Sequence, residues 1–394
     1  MMDDSQDSQQ KDKDGSPPSA PHNSNFKQQR LRAVFPVLTE RMLAVGFLFS
    51  TVVSVALGAL ILVYSDHSLE VDVRYDHVRN YQILSTNADL KLQYFAGDNG
   101  TLFGQGARTD VVFDIPRRMN PPVYLYYRLV NFYQNHRSYR ESRNQEQLAG
   151  FPVDRATMFA CVPFRAPGEY GNIDGTQTLT VNGVVQRYSD MRYNPCGLVA
   201  WSLFNDTFVL REHNTSKVIC NTSAFMDGLS NEPLGHAGSC TKKGIAWPSD
   251  TGGEKFKAAK LDNDQWTARR ASVTSTDRYH AEGWYHREPG HKVPHNLDED
   301  LHVWMRTAAL SDFKKILRVV EVPLEQGPYL MSIDEYFDVA SFDGEKHFVL
   351  LTRSWVGGRN QALGIVFIAL GGVTFLCCIS ALNLNRIIGR QKKV

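Results

Sequence analysis

The 394 residues hold 43 Lys and Arg against 42 Asp and Glu, a formal charge of +1. A surface so evenly balanced gives no attractive field for nucleic acid or another acidic polymer, and those partners are excluded. Apolar content is an ordinary 42%, so the information lies in how residues are distributed along the chain.

Residues 1–25 are mostly Asp, Ser, Gln, Lys and Pro, with almost nothing apolar. Such a stretch cannot bury enough surface to offset its ordering entropy, so a disordered tail is expected. Residues 26–40 follow as a short basic and apolar approach, interrupted by Pro36. Residues 43–64 then run without one charge, as do 362–384 near the other end. At about 1.5 Å per residue, either stretch crosses a hydrocarbon core of roughly 30 Å as a helix. The first is too long for the apolar part of a signal peptide, so it reads as a retained anchor.

Lys27, Arg30, Arg32 and Arg41 precede the first span, and Arg386, Arg390, Lys392 and Lys393 follow the second. Basic residues mark the cytosolic side, which puts both termini there. The expected division is a cytosolic tail (1–41), a span (42–64), an exoplasmic domain (65–361), a second span (362–385) and a basic tail (386–394). In the first span Gly46, Ser50, Ser54 and Gly58 recur every four residues, a stripe that lets another helix approach closely. Gly364, Gly371, Thr374, Cys378 and Ala381 make a comparable face in the second, where Cys377 and Cys378 are expected to pack against helix or lipid.

Every Asn-x-Ser/Thr acceptor (Asn99, Asn205, Asn214, Asn221) falls between the spans, as do Cys161, Cys196, Cys220 and Cys240. In an oxidising lumen these thiols pair, and most of the acceptors are expected to carry glycans. Four cysteines allow three connectivities, and the sequence alone does not choose among them. Nearest-neighbour pairing would join Cys161 to Cys196 and Cys220 to Cys240, each loop worth roughly 3–4 kcal/mol.

Within the ectodomain, residues 111–115 and 348–355 read as strands. A hairpin is predicted over 178–188, because Asn182-Gly183 suits a type I′ turn between two β-rich runs. Phe132, His136 and Tyr139 at helical spacing predict a helix over 131–148. Val303, Leu310, Phe313 and Leu317 predict another over 300–320. Residues 247–253 and 289–295 read as surface loops. The fold class expected is a membrane protein: two transmembrane helices flanking a large α+β ectodomain rich in antiparallel β-strands.

No catalytic constellation is visible. The chain lacks a Gly-x-Ser-x-Gly elbow, a His-Glu-x-x-His pair, a Walker loop and the Asp-Lys-Thr-Gly signature of P-type pumps. Gly104-x-Gly106 lacks a third glycine and reads as a turn. His286, His291, His295 and His302, beside Asp298, Glu299 and Asp300, are legitimate ligand types. Their spacing matches no metal pattern, and Pro289, Gly290 and Pro294 make the stretch a solvated loop leading into a helix. No metal, no cofactor and no enzymatic activity are expected. Two uncharged spans do not enclose a polar path, so a transporter acting alone is not expected either. From residues alone the chain is a glycosylated two-pass subunit or a freestanding cell-surface receptor or adhesion protein.

Word-length stretches go further. They are FKQQRL (26–31), YYRLVNFYQNHRSYRESRNQEQLAG (126–150), NPCGLVAWSLFNDTF (194–208), GIAWPSD (244–250), EDLHVWMRTAALSDFKK (299–315) and SFDGEKHFVLLTRSWVGGRN (341–360). In this order they resemble the cell-division-control protein 50 family, the β-subunits of lipid-flipping type-4 P-type ATPases. The resemblance implies a non-catalytic heterodimer partner that helps the catalytic α-subunit fold, leave the endoplasmic reticulum and move phospholipid from the exoplasmic to the cytosolic leaflet. It implies residence in the endoplasmic reticulum, Golgi, endosomes and plasma membrane. It also implies a Cys161–Cys196 bond and a glycan on Asn205. Many relatives carry further cysteines early in the ectodomain, whereas this chain has none between Tyr81 and Asp110 and has Cys220 and Cys240 instead.

Overall fold

The computed structural model describes residues 39–76, 107–167, 169, 176–225, 231–258, 262–288, 291–353, 357 and 361–391. The tail expected over 1–25, Asn99 and the Gly104 turn lie outside them. The described residues fall into two compact units, one from 39–57 with 366–391 and one from within 58–365. Two long helices, α1 (Glu40–His67) and α8 (Gln361–Gln391), are long and apolar enough to cross a membrane. Their apolar side chains face outward nearly all round, Phe49 being 70% exposed and Val366 61%. A helix buried in a soluble core hides such residues, and a bilayer is the solvent that suits them.

The second unit is built on antiparallel strands, numbered here in chain order. They begin with β1 (Glu70–Arg74), β2 (Ala107–Ile115), β3 (Val123–Val130), β4 (Thr178–Val181), β5 (Val184–Arg187) and β6 (Arg192–Tyr193). Next come β7 (Thr207–Glu212), β8 (Val218–Asn221), β9 (Cys240–Thr241) and β10 (Gln265–Trp266). The last three are β11 (Phe313–Val320), β12 (Gly327–Glu335) and β13 (Glu345–Thr352). One sheet has the order β1-β13-β3-β11-β9 and a second the order β2-β12-β7-β8. Alternation decides which way each strand faces. In β3, Val123, Leu125, Tyr127 and Leu129 are buried, and in β12 so are Tyr329, Met331 and Ile333. These faces meet in one core, where Phe113 of β2 lies 5.1 Å from Phe348 of β13.

Two chain segments, 153–196 and 266–293, leave this sandwich and build a lobe with its own core around Met158, Met191, Tyr193, Trp266 and Tyr285. Its strands are short: β6 pairs in parallel with β10, and β4 pairs antiparallel with β5. The β4–β5 turn places Asn182 at φ 48° and Gly183 at φ 82°, the left-handed pair a type I′ turn requires.

Two helices expected from periodicity are corrected. Over 131–148 the chain forms only α2 (Arg137–Glu141) and α3 (Gln145–Leu148). Asn131 sits at φ 64°, and Phe132 enters an aromatic cluster with Trp304, Phe313, Phe337 and Phe342, so packing overrides the 3.6-residue pattern. Over 300–320 the helix (Glu299–Met305) stops early, and Phe313 begins β11. The β-branched run Ile316, Val319, Val320 pairs with β3 instead, and Leu310 is left 71% exposed in the connection. The strand expected over 348–355 begins at Glu345 and ends at Thr352.

Residues 247–253 lie at the surface as expected, except that 248–251 wind into a short helix whose Asp250 is buried against Lys255 and Arg306. The other expected surface loop is corrected, because Val293 is fully buried. The histidine stretch is not a solvated loop. His302 is buried, stacks on Phe256 with centroids 4.1 Å apart, and bonds through Nε2 to the Asn296 carbonyl at 2.8 Å. His291 lies between the Glu288 carboxylate and the Trp201 carbonyl.

Candidate functional site

In the helix pair, Thr51 and Thr374 hydroxyls meet at 2.9 Å, and the Cys378 thiol donates to the Ala44 carbonyl at 3.3 Å. A Cβ on Gly371 would lie 2.6 Å from Val55 Cγ2, so only glycine permits this approach. Of the expected stripe, Ser54 and Gly58 are buried and Ser50 is half-buried, while a Cβ on Gly46 would meet open space. Four residues turn a helix by about 400°, so a strict four-residue repeat drifts off the contact. The buried positions Ala44, Ser54, Gly58 and Ile61 instead follow steps of ten, four and three, which keep to one face of the helix. Gly364, Gly371 and Cys378 recur every seven residues in α8 and all face inward.

In the ectodomain, Cys161 bonds to Cys196 and Cys220 to Cys240. Cys220 lies in β8 and Cys240 in β9, so this bond joins the two sheets along one edge of the sandwich. Cys161–Cys196 lies in the lobe core, where Gln147 of α3 donates to the Tyr193 carbonyl and accepts from the Cys196 amide. Asn214 is exposed on the β7–β8 turn. Asn221 is half-buried, with its amide donating to the His236 carbonyl at 3.2 Å. Asn205 is half-buried at the start of β7.

Two buried ionic clusters tie the elements together. The Lys346 ammonium, on β13, reaches Asp206 at 2.7 Å, Glu335 at 2.9 Å and the Phe337 carbonyl at 2.7 Å. Glu335 also accepts from Thr109 at 2.6 Å, and Asp206 from Tyr75 at 2.7 Å and from the amides of Tyr336 and Phe337 at 2.6 Å each. Burial opposes the Lys346 charge, but Asp206 and Glu335 outweigh it and raise the ammonium above its ordinary value. This cluster spans both sheets, because Lys346 belongs to one and Glu335 to the other.

The second cluster binds the helix Glu299–Met305 to β9 and β11. Lys242 reaches Asp298 at 2.7 Å and Asp300 at 3.1 Å, and Arg318 reaches Asp300 at 2.8 Å. A bulge between Ile316 and Arg318 turns both Leu317 and Arg318 inward, which is what lets a guanidinium enter the core. Burial alone would raise Asp300; Arg318 and Lys242 reverse that and hold it down to about 2. Asp298, with burial and the Asp300 charge against it, is pushed up to about 6.

Asp298 and Asp300 stood out in the sequence only as possible metal-ligand types, and Asp206, Lys242, Arg318, Glu335 and Lys346 escaped sequence reasoning. Glu335 and Lys346 do continue the inward alternations Tyr329–Met331–Ile333 and Phe348–Leu350, and a charge at such a position was the available signal. Nothing in the order of residues marks Lys242.

Where β7 and β12 approach the loop around Val293, a cavity of 260 Å³ opens. Phe204, Phe225, Trp284, Val293 and Tyr336 supply its apolar walls, and Asn205 and Asp298 are among its polar lining. No nucleophile–base pair lines it. Among the described residues no group of three or more His, Cys, Asp or Glu side chains is arranged to hold a metal ion.

The arrangement defines a class: a two-span membrane protein whose folded mass is one disulfide-stapled β-sandwich with an inserted lobe. The family model of LEM3 (ligand-effect modulator 3), the CDC50 family, matches residues 61–391, and the chain belongs to that family. Similar proteins include "ALA-interacting subunit 3" of Arabidopsis thaliana, 32% identical over 91% of this chain and 84% of that protein. "Cell cycle control protein 50A" of Bos taurus is 30% identical over 94% and 93%, and its Mus musculus counterpart 29% over 93% and 89%.

Proposed function

We propose that this chain is the non-catalytic β-subunit of a phospholipid-translocating P-type ATPase. The observation carrying the reading is similarity along nearly the whole chain to a protein named an ALA-interacting subunit, across spans and ectodomain alike. The partner is a type-4 P-type ATPase α-subunit in a heterodimer, and the cargo is phospholipid moved from the exoplasmic to the cytosolic leaflet. Both termini are cytosolic and residues 65–361 exoplasmic, in endoplasmic reticulum, Golgi, endosomal and plasma membranes. The subunit helps its partner fold and leave the endoplasmic reticulum. A protein without reacting groups acts on a pump only by binding one of its states more tightly than another.

Purification of the tagged full chain in mild detergent tests this. A P-type ATPase in stoichiometric amount is expected; an intact, folded subunit that brings none down overturns the reading.

A further inference from the structure

The cavity beside Asn205 has an unusual balance of groups. Its polar lining is largely committed elsewhere: Asp334 to Arg108 at 2.7 Å, Asp298 to Lys242, Ser223 to Asn221 at 2.6 Å, His291 to Glu288 and Trp201. Among the described residues, the buried lining oxygen left without a hydrogen-bond partner is Asn205 Oδ1. A buried acceptor left unpaired costs about 1–3 kcal/mol, so a donor is called for there. Asn205 is also the acceptor residue of the sequon Asn205-Asp206-Thr207.

We propose that the cavity is the seat of the first N-acetylglucosamine of a glycan carried by Asn205. The volume of 260 Å³ suits one sugar ring and falls below the roughly 300–1,000 Å³ of sites for larger free ligands. The C–H face of the ring and the acetyl methyl match the walls of Trp284, Phe204 and Tyr336. The 2-acetamido N–H is the donor that Asn205 Oδ1 lacks, and the remaining hydroxyls point to the cavity mouth. A free polar ligand would find few uncommitted partners here, whereas a tethered sugar is delivered in place. The bond itself joins Asn205 Nδ2 to the sugar C1 during synthesis, with loss of one amide proton and departure of a lipid diphosphate. Asn214, on an exposed turn, provides the internal control.

The inference rests on the exoplasmic placement of residues 65–361 proposed above. The test uses the full chain from a secreting cell line, treated in detergent with an endoglycosidase that cuts between the first two sugars. Site-resolved mass spectrometry follows each acceptor. Release at Asn205 is expected to be about tenfold slower than at Asn214 in the native protein and equal after denaturation. Trp284→Ala is expected to speed release at Asn205 alone. Should that variant misfold, Asn205→Gln in the otherwise native chain is expected to lower the thermal midpoint while Asn214→Gln leaves it unmoved. Equal native release rates, or equal midpoints for the two Gln variants, would overturn the seat. Glycan on Asn214 with Asn205 bare would overturn it too, leaving the topology intact; no glycan on either would remove the topology first.

Discussion

In the sandwich, strands of eight and nine residues from distant parts of the chain bury a continuous apolar layer with a charged cluster inside it. In the lobe no strand among the described residues exceeds four residues. Its core is instead aromatic rings whose polar ends are tied to backbone. Trp266 Nε1 donates to the Trp284 carbonyl at 2.7 Å, and His280 Nε2 bonds the Gln265 carbonyl at 3.2 Å. Each region has one disulfide. The lesson is that a long ladder tolerates a buried charge because several elements satisfy it at once, whereas short strands need side-chain tethers and a covalent closure.

The largest effect expected on this comparison is from Lys346→Met. It leaves Asp206 and Glu335 buried without their cation, a loss of about 3–5 kcal/mol. Thermal unfolding of the purified chain is expected to show a collapsed sandwich, and an unchanged midpoint would refute the cluster's role. Next come the disulfides, whose loops of 20 and 35 residues are worth about 3 and 4 kcal/mol by chain entropy. Cys161→Ser with Cys196→Ser should open the lobe to limited proteolysis while sandwich peptides stay protected. Cys220→Ser with Cys240→Ser should loosen the sheet edge instead. Identical cleavage maps for the two pairs would dissolve the distinction between regions.

Acid should act on the buried histidines before it reaches the carboxylate cluster. His280 and His286 of the lobe, and His302 on the helix packed against the sandwich, are held below their ordinary value, chiefly by burial. A histidine with a lowered folded pKa gives stability that is present above about pH 6.5 and lost as pH falls. Asp300 of the sandwich, held to about 2, gives stability present above about pH 4 and lost between there and pH 2. Hydrogen exchange is therefore expected to rise around these three histidines first on acidification and at the Asp300 cluster only at lower pH, and the reverse order would contradict the assignment. The smallest effect belongs to Gly183→Ala. Its Cβ meets nothing, so only the positive φ is penalised, by about 1 kcal/mol, local to the β4–β5 hairpin.

Legibility followed the same divide between local and distant causes. The spans and the Asn182-Gly183 hairpin were readable because short-range chemistry decides them: a charge-free run, and two residues that tolerate left-handed backbone. The helix expected over 300–320 failed because Phe313–Val320 carries apolar residues compatible with either period, and a partner strand nearly two hundred residues earlier settles the matter. The Asn205 cavity was legible only as a sequon. Its walls come from β7, β12 and the segment around Val293, which no local pattern connects.

The order of strands in the first sheet has a consequence for biosynthesis. β13 lies between β1 and β3, with the Leu69 and Thr352 backbones joined at 3.0 Å, so the last strand made is the one that fills the gap. While the ribosome is still short of Thr352, β1 has no neighbour among the described strands and β3 only β11. The globule can close only once the polypeptide has been translated almost to its second anchor, which makes a prematurely terminated product visibly incomplete to quality control.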